Sequence, residues 1–117
     1  MPIKLENFKP HWLEIKSTTI SAGATENIEY TFSDDLVIVR LFIWADDGSS
    51  LYDVLVTMRI EDEYITHDSI PAELFNTDQK DAYVLNWKVT NGQKLYMSIT
   101  NNKASAVTLY IFAEIVK

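Results

Sequence analysis

Residues 82–113, AYVLNWKVTNGQKLYMSITNNKASAVTLYIFA, hold three runs of alternating apolar and polar side chains, joined by two turns that each carry asparagine. Tyr83, Leu85, Trp87 and Val89 share one parity in the first run. Leu95, Met97 and Ile99 share it in the second, and Val107, Leu109, Ile111 and Ala113 in the third. A period of two sends such residues to one face of a pleated strand and leaves Asn86, Lys88, Lys94, Ser98 and Thr108 on the other. Asn91-Gly92 tolerates the positive φ of a two-residue hairpin loop. The spacing therefore predicts a type I′ turn and, across the whole stretch, an antiparallel meander.

Outward from this stretch the same grammar continues. Strands are expected at 11–20, 26–32, 36–45, 51–60, 63–68, 82–90, 93–100 and 106–116, eight in all. Ser21-Ala22-Gly23-Ala24, Ser33-Asp34-Asp35 and Asp46-Asp47-Gly48-Ser49-Ser50 are the turns between the early ones, because Asp and Ser side chains bond nearby backbone there. Residues 69–81 form the one long connection; 71–75 fit a single helical turn with Ser69 offering a cap. Residues 1–10 read as an arm, with Ile3, Leu5 and Phe8 in no sustained period. Short strands at regular spacing without interleaved helices mean an antiparallel sandwich or barrel. The expected fold is all-β: an eight-stranded antiparallel β-sandwich of jelly-roll type, two four-stranded sheets face to face. An immunoglobulin-like sandwich is the alternative, although the Cys–Trp–Cys pattern of true immunoglobulin domains is missing.

Composition narrows the function classes. With 117 residues and 47% apolar side chains, the chain is expected to be a single domain, 1–117, with a core needing no metal or disulfide staple. Ten basic residues against seventeen acidic give a net charge of −7, which disfavours nucleic acid, since phosphate binding needs clustered Lys and Arg. No run reaches the roughly 20 apolar residues of a membrane span, and the first residues hold no apolar leader. No membrane partner is expected, and the setting is read as a virion or the cytoplasm. Cysteine is absent.

Chemistry-bearing patterns are sparse. His11 and His67 have no second ligand at zinc spacing. Asp46-Asp47-Gly48-Ser49-Ser50 has the look of a calcium loop, yet it lacks the alternating acidic ligands and the distant glutamate of that motif. Nucleophile elbows, phosphate loops and Ser/His/Asp sets are missing, so no catalytic residue, cofactor or metal site is assigned and no enzymatic activity is expected.

The aromatics carry more. The run 36–45, LVIVRLFIWA, is apolar on both parities. Val37, Val39, Leu41 and Ile43 suffice for one core face, which leaves Leu36, Ile38, Phe42 and Trp44 on the other. Trp12, Tyr96, Tyr110 and Phe112 likewise fall opposite the buried parity of their strands. An exposed cluster of such side chains marks an interface or a ligand platform. The competing account is that these strands are covered on both sides, or that parity slips at a bulge. Trp12, Ile38, Phe42, Trp44, Tyr96, Tyr110 and Phe112 are therefore the candidate site.

Residues 89–115, VTNGQKLYMSITNNKASAVTLYIFAEI, resemble the closing strands of small jelly-roll or β-sandwich proteins found among virus and phage structural and accessory proteins. In those a G-x-K-L strand is followed by an asparagine-rich turn and a β-branched closing strand. The resemblance implies an oligomeric virion component, such as a capsid, decoration or fibre subunit, with no catalytic residues to carry over. The expected function is thus a non-catalytic, self-associating structural protein working as a homo-oligomer. The alternative is a carbohydrate-binding module with Trp12, Trp44 or Tyr96 as stacking platforms.

Overall fold

In the computed structural model, residues 10–76 and 84–117 are described. The arm 1–9, the end of the long connection and the expected strand start with Tyr83 lie outside them. Nine strands are present among the described residues: β1 (Pro10–Ile20), β2 (Thr25–Thr31), β3 (Leu36–Ala45), β4 (Val54–Ile60), β5 (Glu63–Tyr64), β6 (Ile70–Pro71), β7 (Val84–Val89), β8 (Lys94–Asn101) and β9 (Val107–Val116). They form two antiparallel sheets. Sheet A has the order β1-β9-β3-β7, and sheet B the order β2-β8-β4-β5, with β6 also on β4.

That order is a jelly roll. Apart from β4, β5 and β6, which all lie in sheet B, consecutive strands alternate between the sheets, and the first strand pairs with the last. The immunoglobulin-like alternative is excluded by this pairing, since that fold sets its first strand beside the second. The expected meander is corrected as well. β7 pairs with β3, β8 with β2 and β4, and β9 with β1 and β3, so the three runs of 82–113 pair with other strands. Alternation reports which face a strand buries; it does not report its neighbour.

The turn chemistry explains the crossing. Gln93 N–H donates to Thr90 C=O at 3.1 Å, which closes a four-residue turn. Gly92 has φ +94°, whereas Asn91 is not among the positive-φ residues. One positive φ, at the third position, is the type II signature; type I′ requires two. Hydrogen bonds then tie this turn to the β2–β3 connection: Gly92 N–H to Phe32 C=O at 2.8 Å and Asn91 N–H to the Asp35 carboxylate at 2.7 Å. Another crossing is held by Asn101, which is fully buried. Its amide donates to Ile20 C=O at 3.0 Å and Ser105 C=O at 2.9 Å, and its oxygen accepts Lys103 N–H at 2.9 Å. A buried amide with every group paired stabilises its loop.

The core lies between the sheets and is built from the inward parities: Ile28 and Phe32, Leu41 and Ile43, Val54 and Val56, Leu95 and Ile99, Leu109 and Ile111 are all buried. Two bulges adjust it. Ile15 is an extra residue in β1 between Glu14 and Lys16, so Ile20 and not Ser17 continues the inner face. Val39 is an extra residue in β3 between Ile38 and Arg40, opposite β9. Before it Leu36 and Ile38 point inward, after it Leu41, Ile43 and Ala45 do.

The expected strand 63–68 shrinks to Glu63–Tyr64, because Ile65 and Thr66 both aim their N–H groups at Met58 C=O while the Thr66 hydroxyl accepts Met58 N–H. A one-turn 3-10 helix, Ala72–Phe75, occupies the expected helical turn. Ser69 does not cap it; its hydroxyl bonds Thr57 at 3.0 Å. Glu73 pins the helix by accepting Leu51 N–H at 2.9 Å.

Candidate functional site

The outer face of sheet A collects five of the seven candidate side chains. Register across β3 and β9 sets Phe42 opposite Phe112 and Trp44 opposite Tyr110, one rung apart on the same face. Side chains two residues apart on neighbouring strands are within reach of one another. The Trp44 ring stacks on Phe112 with centroids 5.3 Å apart and an interplanar angle of 23°, and meets Tyr110 at 5.8 Å. Trp12, on the edge strand β1, reaches across β9 to Phe42 at 5.4 Å. The result is an aromatic strip running obliquely over three strands.

Exposure varies within the strip. Phe42 is only 6% exposed, Trp44, Tyr110 and Phe112 are half-buried, and Trp12 is 63% exposed. Arg40 and Glu114 close one end as an ion pair at 3.8 Å, and Glu14 and Lys88 stand at the flanks. Both signs of charge therefore border an apolar centre.

Two candidates fall elsewhere. Ile38 is 0% exposed and belongs to the core, because the Val39 bulge reverses the parity on which it was placed outside. Tyr96 is on the outer face of sheet B, under the Arg59 guanidinium, which sits 4.0 Å from its ring centre. Its outward direction is readable from Leu95 and Met97; its sheet is not, since that depends on strand partners.

Val84 was missed. It is half-exposed, and it pairs with Arg40 on the outer face of sheet A. Its parity opposite Leu85 and Trp87 was the available signal. Tyr64, also half-exposed, sits in a two-residue strand that no periodicity announces.

The acidic turns have a local explanation. Ser49 N–H donates to Asp47 Oδ1 at 2.9 Å, and hydrogen bonds from Ser49 hold the Asp47 carboxyl below the usual carboxylate range. Among the described residues no group of three or more His, Cys, Asp or Glu side chains is placed to hold a metal ion. On the other sheet, Glu29 lies 2.8 Å from Lys94 and raises the Lys94 ammonium above the ordinary lysine value. Comparison with known proteins found no family model, no curated protein and no solved structure that matches this chain.

Proposed function

We propose that this protein is a non-catalytic structural subunit that self-associates, with the outer face of sheet A as the surface between copies. The observation that carries the reading is the aromatic strip from Trp12 to Tyr110 on a sheet whose inner face already supplies the core. At about 25 cal/mol per Å² of apolar area, covering a largely exposed indole contributes roughly 3 kcal/mol. Apolar aromatic centres with a polar rim are the usual anatomy of interfaces. A second copy suits this rim, because Arg40 and Lys88 on one copy can face Glu14 and Glu114 on the other when a two-fold axis passes through the strip.

Jelly-roll sandwiches serve viral capsids, lectins and cupins alike, so topology alone does not select among them. The self-complementary aromatic face favours a building block, and a capsid, decoration or fibre component of a virion is the role that fits. Light scattering over a concentration series tests it. The weight-average mass should rise with concentration, and rise further from low salt to about 0.15 M, because salt screens repulsion between copies that each carry −7. A mass that stays at one chain throughout would remove the proposal.

A further inference from the structure

A second feature lies on the opposite side of the sandwich. Pairing across sheet B sets Glu29, Tyr96, Arg59 and Tyr64 side by side on β2, β8, β4 and β5. Two residues along, on the same face, the next rung is Asn27, Ser98 and Thr57. The drop from large to small side chains opens a trough of about 370 Å³. That is the lower end of the range for small-molecule sites, roughly 300–1,000 Å³.

We propose that this trough binds a neutral saccharide, with the Tyr64 ring as the stacking wall and Asn27, Ser98 and Glu29 as partners for its hydroxyls. A pyranose presents an apolar face of C–H groups and an equatorial belt of hydroxyls. The trough presents the matching pair of surfaces. Tyr64, 55% exposed, stands at one side, and Asn27, Ser98 and Glu29 line the floor and far side.

The row beside the Tyr64 wall is preorganised. Arg59 lies over the Tyr96 ring and donates to Glu61 C=O, and Glu29 is held by Lys94 at 2.8 Å. Side chains fixed before binding lose little entropy on binding. Thr57 is already engaged by Ser69, so it shapes the floor without serving as a first-choice partner.

Charge selects the class of ligand. Arg59 and Lys94 are balanced by Glu29 and Glu61 within the same neighbourhood, and the whole chain carries −7. A polyanion is repelled, and a neutral polyol pays no charge-desolvation cost. The site shares no residue with the aromatic strip of sheet A, so the two proposals stand or fall separately.

The test is a titration of the isotope-labelled full chain with maltose, cellobiose and N,N′-diacetylchitobiose, followed by amide shifts. At least one disaccharide should move the signals of Asn27, Tyr64 and Ser98 with a dissociation constant on the order of 1 mM. Tyr64→Ala should weaken binding about tenfold or more, the loss expected from one stacking ring. Ser98→Phe, which fills the floor, should abolish it. Both variants should keep the wild-type thermal midpoint and mass. No shift with any of the three sugars at about 10 mM, or shifts centred on Trp12 and Trp44 instead, would overturn the proposal.

Discussion

The outer faces of the two sheets differ in almost every respect although the same jelly roll builds both. On sheet A the central positions are Phe42, Phe112 and Trp44, with Trp12 leaning over them. On sheet B the corresponding central positions are Ser98, Thr57 and Thr100, and the Thr25–Thr100 hydroxyl pair at 2.7 Å is typical of a water-facing ladder. Antiparallel sheets are ordinarily apolar inside and polar outside. Sheet B follows that rule except at Tyr96, which lies under Arg59, and at the edge residue Tyr64, whereas sheet A breaks it at its centre. That departure motivates the proposal that copies meet there, because a two-layer sandwich supplies no cover on its outer sides.

The largest expected effect separates the two faces at their centres. Phe42→Glu removes a buried ring and inserts an unpaired carboxylate, so it should destabilise the fold by at least about 3 kcal/mol. Ser98→Glu, at the matching place on sheet B, should cost under about 1 kcal/mol. Urea unfolding of both variants checks this. Equal losses would mean that the outer face of sheet A carries no more of the fold than that of sheet B.

Of intermediate size is the turn that passes the chain from one sheet to the other. Nothing lies within 4 Å of a Cβ placed on Gly92, so its φ of +94° is the whole obstacle to substitution. Gly92→Val should lower stability by roughly 1–3 kcal/mol, since β-branched residues rarely tolerate that region. An unchanged thermal midpoint would contradict the type II geometry.

The smallest effect belongs to the polar face. Lys94 is half-exposed, and its ammonium is raised above the ordinary lysine value by Glu29. A raised lysine contributes stability that is complete below its unfolded value and is lost as pH rises through the folded one. Glu29→Gln should therefore lower the thermal midpoint slightly at neutral pH, with the difference closing above about pH 10.5. A difference that persists or grows at high pH would assign Glu29 another role.

These comparisons also mark how far the chain could be read unaided. Strand parity was legible nearly everywhere: Leu95, Met97 and Ile99, or Val54, Val56 and Met58, are buried as their alternation demands. Strand partnership was not. Asn91-Gly92 suits a hairpin and a crossing turn alike, and the choice rests on Phe32 and Asp35, some sixty residues earlier in the chain. The Val39 bulge was equally silent, since LVIVRLFIWA stays apolar on either side of it. That one inserted residue moved Ile38 from the candidate face into the core while Phe42 and Trp44 stayed outside. Trp12, Trp44, Tyr110 and Phe112 were found by parity alone, and their convergence needed the β1–β9–β3 pairing.

The central claim is that copies meet through sheet A and not through sheet B. Sedimentation velocity on the wild type, Trp12→Glu and Tyr64→Glu tests it most directly, because both substituted rings are exposed and neither supports the core. The account predicts an oligomer for the wild type and for Tyr64→Glu, and a folded monomer for Trp12→Glu. A monomeric wild type at high micromolar concentration, or an oligomer that survives Trp12→Glu and dissolves with Tyr64→Glu, would contradict it.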